Sequence, residues 1–359
     1  MRYLVYLGHP AHFHLFRNVI KILKGRSHEV LILIKKKDVL ENLVKSTGWE
    51  YININQKGRA DNKIAIAYAL MKRDVQLLKA CLKFKPNLMI GTSAEITHIG
   101  KLLGIYSIVV NEDDDFVVPL FAKLSYPLAD KILAPNCCSV GRWENKKIGY
   151  NGYHEMAYLH PKYFTPDERV GRFLNKNREK YFILRFAKLS AHHDEGKTGI
   201  TTIIADRIIN MLCHYGNVYI SSERELESKF EKYRIPIKAE EMHSALYFSD
   251  IYIGDSQTMA AEAAVLGTAS VRFNDFVGQI SYLEELEHKY QLTFGIKTSE
   301  TEKLYQLIND LLRRQNLKEE WEKRRINMFS QTSDLTKLIV DLMENSKKKE
   351  ETNYSMTLF

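Results

Sequence analysis

Short apolar runs alternate with amphipathic segments along most of the chain, and this alternation restricts the fold more than any other feature. The first series of runs is YLVYL (3–7), EVLILI (29–34), YININ (51–55), NLMIG (87–91), YSIVV (106–110) and KILAP (131–135). Helices are predicted between them, including a long one from about Asn62 to Phe84. Strands that are apolar on both faces and separated by helices indicate a parallel sheet covered on both sides. The first half is therefore predicted to be a doubly wound α/β domain.

A second series of the same kind predicts a second doubly wound domain. Its runs are YFILRF (181–186), NVYISS (217–222), DIYIG (250–254) and ASVRF (269–273), and helices are predicted from about Thr198, Glu223 and Thr258. The chain of 359 residues is long enough for two cores of roughly 150 residues each. The predicted organisation is a first domain at 1–150, a linker at 151–166, a second domain at 167–332, a C-terminal helix at 333–346 and a flexible tail at 347–359.

The basic excess of the chain lies entirely in its first half. Residues 1–150 contain 23 Lys and Arg against 13 Asp and Glu, a net charge of +10, whereas residues 151–359 have a net charge of −2. This asymmetry predicts an anionic partner for the first domain, such as an anionic membrane or a phosphate-bearing acceptor; a lysine-rich solvated surface is the alternative. Nucleic acid is the least favoured partner, because no known reader motif is present and aromatic residues do not recur among the lysines.

Cysteine usage and hydropathy indicate the compartment. The four cysteines, Cys81, Cys137, Cys138 and Cys213, form neither a disulfide framework nor a CxxC metal spacing. No signal peptide is recognised, and no apolar run approaches the ~20 residues that cross a bilayer. The prediction is a cytoplasmic protein that makes peripheral contact with the inner face of the membrane through its basic half.

The loop after the first strand contains three histidines. In doubly wound sheets, ligands bind beyond the carboxyl ends of the strands. The loop LGHPAHFHLF (7–16) lacks the glycines of a GxGxxG fingerprint, so a dinucleotide site is not predicted there. Gly8 and His9 are predicted to line the cleft between the domains, and His12 to act as a base or hydrogen-bond partner. Metal binding by His9, His12 and His14, and helix capping or core packing, are the alternatives.

Two other loops of the first domain are predicted to face the same cleft. IGTSAEITHIG (90–100) and VVNEDDD (109–115) contribute Ser93, Glu95, Asn111 and Glu112. Glu112 is the second candidate for the base. The acidic run resembles a DxD metal motif, but the fold can bind a diphosphate through amides and side chains, so its aspartates are interpreted as helix caps. Neither a metal nor another cofactor is predicted.

The most specific pattern lies in the second domain, in IYIGDSQTMAAEAAVLGTASVRF (251–273). Asp255 or Ser256 can cap the helix that follows the strand, and the amides of Gln257, Thr258 and Met259 then form an anion site with the helix dipole. Glu262 lies on an otherwise small and apolar helix, where an unpaired carboxylate is costly to bury. A ribose diol would satisfy it, and a salt bridge, with Arg272 as a candidate, is the alternative.

Two further loops of the second domain gather groups that suit a diphosphate. They are RFAKLSAHHDEG (185–196) and SSERE (221–225), and the predicted binding residues are Arg185, Lys188, His192, His193 and Ser222. Chance clustering in a polar surface loop is the alternative for the first of them.

These motifs together resemble the GT-B superfamily of glycosyltransferases and its relatives, the non-hydrolysing UDP-N-acetylglucosamine 2-epimerases. The closer likeness is to an uncharacterised bacterial and archaeal family grouped with them. It extends over most of the chain, through GHPAHFHLF (8–16), NGYHEMAYLHP (151–161), RFAKLSAHHD (185–194) and SDIYIGDSQTMAAEAAVLGTASVR (249–272). The resemblance implies a GT-B fold with two Rossmann-like domains facing a central cleft, an acceptor-side first domain and a donor-side second domain.

The resemblance also implies roles for particular residues. Glu262 matches the glutamate that holds the ribose in GT-B enzymes, and residues 256–258 match the turn that receives the diphosphate. His192 or His193 falls where the epimerases have a histidine, although the flanking arginine and glutamate-asparagine of that motif are absent here. His12 falls where some transferases place a histidine near the reacting sugar, but GHPAH replaces the glycine-rich turn of the membrane-associated members.

Three functions are consistent with the sequence. The first is a metal-independent glycosyltransferase with a nucleotide-diphosphate-sugar donor and a lipid-linked or glycan acceptor, active in surface polysaccharide or glycolipid synthesis. The second is a nucleotide-sugar 2-epimerase, which needs no acceptor. The third is a non-catalytic protein of the same fold that binds nucleotide or membrane.

Overall fold

Two parallel β-sheets organise the chain, each in its own compact unit. The structure, a computed structural model, describes residues 1–35, 38–54, 63–176, 180–187 and 199–346. Unit 1 comprises Met1–Tyr158 together with the described residues from Ser333 onward, and unit 2 comprises Leu159–Thr332. The chain therefore passes from unit 1 to unit 2 after Tyr158 and returns at Ser333.

Unit 1 has a seven-stranded sheet in the order β3-β2-β1-β4-β5-β6-β7, and all the pairings are parallel. The strands are β1 (Arg2–Leu7), β2 (Glu29–Ile34), β3 (Tyr51–Asn53), β4 (Leu88–Gly91), β5 (Tyr106–Val110), β6 (Lys131–Pro135) and β7 (Lys147–Tyr150). The helices are α1 (Pro10–Gly25), α2 (Asp38–Ser46), α3 (Lys63–Phe84), α4 (Glu95–Leu103), α5 (Pro119–Ser125), the short α6 (Met156–Leu159) and the C-terminal α14 (Leu335–Asn345).

Unit 2 has a five-stranded sheet in the order β12-β11-β10-β8-β9, again with parallel pairings throughout. The strands are β8 (Lys180–Phe186), β9 (Gly216–Ser222), β10 (Ile251–Gly254), β11 (Ala269–Phe273) and β12 (Thr293–Ile296). The helices are α7 (Glu168–Leu174), α8 (Thr202–Leu212), α9 (Met242–Phe248), α10 (Gln257–Leu266), α11 (Ser281–His288), α12 (Thr301–Arg313) and α13 (Leu317–Ser330).

Burial explains why the central strands are apolar on both faces. Tyr3 to Leu7 of β1 are completely buried, as are Tyr252 and Ile253 of β10. Side chains that alternate between the two faces of such a strand must all be apolar, because helices cover both faces. The α/β class and the doubly wound arrangement predicted from the sequence are confirmed.

Local capping groups set where several helices begin. Helix α1 starts at Pro10, with the His9 side chain accepting the Ala11 N–H. Proline suits the first helical position because its missing N–H would have no intrahelical partner there. Helix α10 begins after Ser256, whose hydroxyl accepts the Met259 N–H, and ends at Gly267 with φ of 82°. Only glycine adopts that conformation without strain.

Other local predictions were wrong. The helix predicted from Glu223 is absent; the described residues there form a 3₁₀ turn at Ser228–Tyr233. Strand β7 was not predicted, and neither were α11 and β12. Among the residues that the structure describes, no helix combines the length and apolarity required to cross a membrane.

Candidate functional site

Each sheet has one switch point, where the strand order reverses. In unit 1 it lies between β1 and β4, and in unit 2 between β8 and β10. Ligands of doubly wound sheets bind beyond the carboxyl ends of the strands at such points. The unit 1 edge is defined here as the residues that follow β1, β4 and β5, together with those that contact them. The unit 2 edge is the corresponding set after β8, β9 and β10, with the first two turns of α10.

His12 bridges the unit 1 switch point. The Gly8 backbone N–H donates to its Nδ1 at 3.1 Å, and the hydroxyl of Thr92, directly after β4, lies 2.5 Å from the same Nδ1 and 3.1 Å from Nε2. An Nδ1 that accepts a hydrogen bond carries no proton, so neutral His12 holds its proton on Nε2. This arrangement favours His12 as a hydrogen-bond partner over His12 as a base.

Ser93 and Glu95 form part of an internal ion pair. The Glu95 carboxylate is almost fully buried and accepts from the Arg73 guanidinium on α3 and from the Ser93 hydroxyl. Burial opposes ionisation, but Arg73 and Ser93 outweigh it and hold the pKa of Glu95 below its ordinary value. Asn111 also points inward, since its amide donates to the Asp113 carbonyl and to the Tyr126 hydroxyl.

Glu112 is bound by His154. One carboxylate oxygen accepts the His154 backbone N–H at 3.0 Å, and the other lies 3.2 Å from His154 Nδ1. A carboxylate at Nδ1 fixes the proton there and leaves Nε2 as the basic atom of the ring. That Nε2 atom is buried and has no hydrogen-bond partner among the described residues. Glu112 therefore orients the imidazole of His154.

Further acidic and phenolic groups surround this pair. Burial, together with the nearby Glu112 carboxylate, raises the pKa of Asp113 to about 7. Burial also raises the pKa of Tyr150, whose hydroxyl lacks a hydrogen-bond partner among the described residues. The unit 1 edge is thus rich in groups whose protonation depends on their surroundings.

Asp255 and Ser256 have different tasks at the unit 2 edge. Ser256 caps α10. The Asp255 carboxylate is buried and accepts the backbone N–H of Ala187 at 2.6 Å and that of Ile200 at 3.1 Å. It thereby joins the two chain segments on either side of residues 188–198 and connects the end of β8 to the end of β10.

Helix α10 presents both an amide-rich end and a buried carboxylate. The Ser256 hydroxyl accepts the Met259 N–H, so the Met259 amide is used by the cap, contrary to its prediction as part of the anion site. Gln257 and Thr258 occupy the first turn at the carboxyl end of β10. Glu262 is only 7 % exposed, and its carboxylate lies 3.0 Å from Nε2 of His243 at the start of α9. The partner of Glu262 in the protein is thus a histidine.

Arg272, the candidate partner for Glu262 in the sequence analysis, is used elsewhere. Its fully buried guanidinium lies 3.2 Å from Glu284 and 3.0 Å from Glu287. Glu284, Glu287 and His288 form the only cluster of possible metal ligands among the described residues. The guanidinium already supplies positive charge to both carboxylates, so this cluster acts as a structural ion-pair network.

Arg185 lies at the end of β8, within the unit 2 edge. Its guanidinium donates to the Ser221 hydroxyl at 2.6 Å and pairs with Glu223. Ser222 bonds instead to the backbone of Arg224, closing a local turn. Lys188, His192 and His193, the other predicted binding residues of this region, lie outside the described residues.

Among the residues that contact predicted ones, sequence reasoning missed Thr92, His154 and His243. Thr92 carried a usable signal, since it directly follows a predicted strand. His154 was predicted to lie in the linker, and His243 lies in a short helix. Neither position indicated that the side chain would lie at the unit 1 edge or the unit 2 edge. Both pairings join residues that are far apart along the chain.

The two parallel sheets and their switch points define a GT-B fold, and solved structures of that fold are similar to the chain over nearly its whole length. The S. aureus MnaA–UDP co-structure has a TM-score of 0.71 at 13% identity, covering 97% of each chain. UDP-GlcNAc 2-epimerase from Neisseria meningitidis bound to UDP-GlcNAc has a TM-score of 0.65 at 14% identity, covering 96% of this chain and 100% of the other. Spinosyn rhamnosyltransferase SpnG complexed with thymidine diphosphate has a TM-score of 0.64 at 13% identity, covering 97% and 100%.

The family is given by sequence. Residues 3–348 match the family described as "Protein of unknown function (DUF354)", and the chain belongs to it. Uncharacterized protein MJ0665 of Methanocaldococcus jannaschii is 25% identical over 294 residues, which cover 78% of this chain and 84% of that protein. The predicted GT-B-like family is confirmed.

Proposed function

We propose that the protein is a metal-independent glycosyltransferase that uses a nucleotide-diphosphate-sugar donor. The observation that carries the proposal is the arrangement of α10: a serine-capped N-terminus at the unit 2 switch point, followed within two turns by the buried carboxylate of Glu262. Solved structures of the same fold are complexes with UDP, UDP-GlcNAc and thymidine diphosphate, which supports the choice of ligand class.

The donor binds at the unit 2 edge in this proposal. The first-turn amides of Gln257 and Thr258 and the positive end of the helix dipole receive the diphosphate. Arg185 adds a cation that can form paired hydrogen bonds with phosphate oxygens. Glu262 accepts hydrogen bonds from the ribose hydroxyls, and His243 holds its carboxylate in place.

The acceptor binds to unit 1 in this proposal, and the unit 1 edge receives its proton. As the bond between the sugar and the diphosphate breaks, the acceptor oxygen bonds to the sugar carbon and its proton passes to a base. Glu112 and His154 form the pair that receives the proton, and the acceptor must reach the buried Nε2 of His154 for this step. The departing nucleoside diphosphate keeps the bonding electrons, and its charge is stabilised by amides and Arg185. No metal takes part.

The acceptor class follows from the charge of the first half of the chain. A net charge of +10 over residues 1–150 favours an anionic or phosphate-bearing acceptor. We therefore propose a lipid-linked or glycan acceptor at an anionic membrane, as in surface polysaccharide or glycolipid synthesis.

Calorimetric titration with UDP, thymidine diphosphate and UDP-GlcNAc tests donor binding. Glu262→Ala should weaken nucleotide binding by about thirtyfold or more, because hydrogen bonds to a charged group contribute about 1.5–3 kcal/mol each. The matched control is Glu302→Gln, which changes a glutamate that is 71% exposed in the same unit. Equal affinities for the wild type and both variants, or no nucleotide binding at all, would contradict the proposal.

A nucleotide-sugar 2-epimerase is the second candidate. It is favoured by the similarity in fold to UDP-GlcNAc 2-epimerase from Neisseria meningitidis, which covers 96% of this chain. Incubation with UDP-GlcNAc alone, followed by proton NMR of the sugar, separates the two activities. Conversion at C2 without acceptor identifies an epimerase, whereas a stable sugar that is transferred only when acceptor is added identifies a transferase. Binding without either reaction over a panel of donors identifies a non-catalytic protein of this fold.

A further inference from the structure

Helix α3 exposes a row of large apolar side chains. Tyr68, Met71, Val75 and Leu82 are 67%, 60%, 50% and 58% exposed. At 100° per residue they fall within about 60° of the helix circumference, and they extend for about 21 Å along its axis. Large exposed apolar patches on a folded protein mark places where it meets a partner.

The charged residues on the exposed face of α3 are all positive. Lys72, Lys79 and Lys83 are exposed and lie along one side of the apolar row. The other two charged residues in this part of the helix are held by the protein, because Arg73 pairs with Glu95 and Asp74 contacts His98. The surface that remains is therefore apolar along one side and cationic along the other.

The neighbouring helices α4 and α5 are attached to α3. Nδ1 of His98 on α4 lies 3.1 Å from the Asp74 carboxylate on α3, and its Nε2 lies 3.1 Å from the Leu124 carbonyl on α5. One side chain thus fastens three helices into a single layer. Within that layer, Leu102 of α4 is 66% exposed and Leu120 of α5 is 54% exposed.

We propose that the α3 face, defined as Tyr68, Met71, Lys72, Val75, Lys79, Leu82 and Lys83, docks unit 1 on an anionic lipid surface. The helix lies in the plane of the interface, the apolar row enters the boundary between headgroups and acyl chains, and the lysines contact anionic headgroups. Tyrosine suits the boundary because its ring is apolar and its hydroxyl is polar. This inference deepens the proposed acceptor at an anionic membrane by naming the surface that docks, and it is independent of donor binding, since docking does not require a nucleotide-sugar.

Charge argues against a second copy of the chain as the occupant. Two α3 faces packed against each other would bring their lysines together, and the exposed part of the helix offers no acidic residue to pair with them. An anionic bilayer can bind the apolar row through its acyl chains and the lysines through its headgroups. Each lysine near such a surface contributes about 1 kcal/mol, or roughly fivefold in partitioning.

Vesicle flotation of the full chain tests the proposal. The probes are vesicles of phosphatidylcholine alone and vesicles in which phosphatidylglycerol is added. We expect flotation with the anionic vesicles only, and weaker flotation as salt is raised. Replacing both Lys72 and Lys79 by Gln should weaken partitioning by about twentyfold to thirtyfold. Met71→Glu combined with Val75→Glu should abolish it, because two carboxylates would enter the interface.

The matched control is Ile203→Glu on α8 of unit 2, where the isoleucine is 80% exposed. This variant should float like the wild type. All four replaced α3 side chains are exposed, and thermal melting of each variant checks that its fold is intact. The proposal is overturned if the wild type ignores anionic vesicles, or if Met71→Glu with Val75→Glu floats unchanged. It is also overturned if the wild type does not bind vesicles and light scattering shows that it is a dimer, whereas the Met71→Glu, Val75→Glu variant is a monomer. None of these outcomes depends on whether nucleotide binds.

Discussion

The carboxyl edges of the two sheets have the same topology and different chemistry. At the unit 1 edge, Glu112 orients His154 and burial shifts the pKa of Asp113 toward neutrality. At the unit 2 edge, the acid after the central strand is Asp255, which is bound by two backbone amides, and the next helix offers its own amides. One edge holds groups that can exchange protons, and the other holds groups that can bind phosphate and hydroxyl.

This difference shows how one architecture can serve two tasks. Parallel strands always bring their carboxyl ends to one edge, so any side chain placed just after a strand joins the same site. Which task results depends on the few residues at these positions. The proposed division between a proton-handling edge in unit 1 and a donor-binding edge in unit 2 leads to the three predictions that follow.

The strongest test of the division is Glu112→Gln. An amide in place of the carboxylate no longer holds the proton on Nδ1 of His154 or stabilises the charged ring, so turnover should fall by about a hundredfold or more. Nucleotide affinity, which belongs to unit 2, should stay within about threefold. Kinetics and calorimetry on the same preparation check both expectations. A parallel loss of nucleotide affinity would show that the two edges do not act separately.

The second test concerns the anchoring of the unit 2 edge. Asp255→Ala removes the acceptor for the N–H groups of Ala187 and Ile200, so the free energy of unfolding should fall by roughly 2–5 kcal/mol. Urea unfolding measures the loss, and hydrogen exchange should locate it near the ends of β8 and β10. Asp255→Asn, which keeps one acceptor oxygen, should lose less. If Asp255→Ala and Asp255→Asn are both as stable as the wild type, the carboxylate does not anchor this edge.

The third and smallest effect is a pH dependence at the unit 1 edge. Asp113 has a raised pKa of about 7, so the folded state keeps a proton that the unfolded chain releases near pH ~4. Its ionisation opposes folding, and the wild type should lose stability relative to Asp113→Asn as the pH rises from about 4 to above 7. A difference of about 2 kcal/mol corresponds to roughly 4–8 °C in melting temperature. Thermal melts near pH 5 and pH 8 check the sign, and a constant difference between the two proteins would refute the assignment.

The strand and helix pattern could be predicted where the local sequence is long and regular enough. EVLILI and ASVRF coincide with β2 and β11, and the turn after Gly254 leads into α10 as expected. Strands β7 (KIGY) and β12 (TFGI) were missed because an interior glycine interrupts each of these four-residue apolar runs, whereas the equally short β4 and β10 have three consecutive apolar residues.

The sequence by itself determined the α/β class, the two series of strands and the identity of the amide-rich turn at residues 255–258, because these depend on neighbours along the chain. Only the tertiary structure decided the strand order and the partners of the buried carboxylates. Glu112 meets His154, 42 positions away, and Glu262 meets His243 rather than Arg272. Such pairings depend on which strand ends and helix starts are brought together by packing. Periodicity along a sequence predicts the strands and helices but not these tertiary contacts.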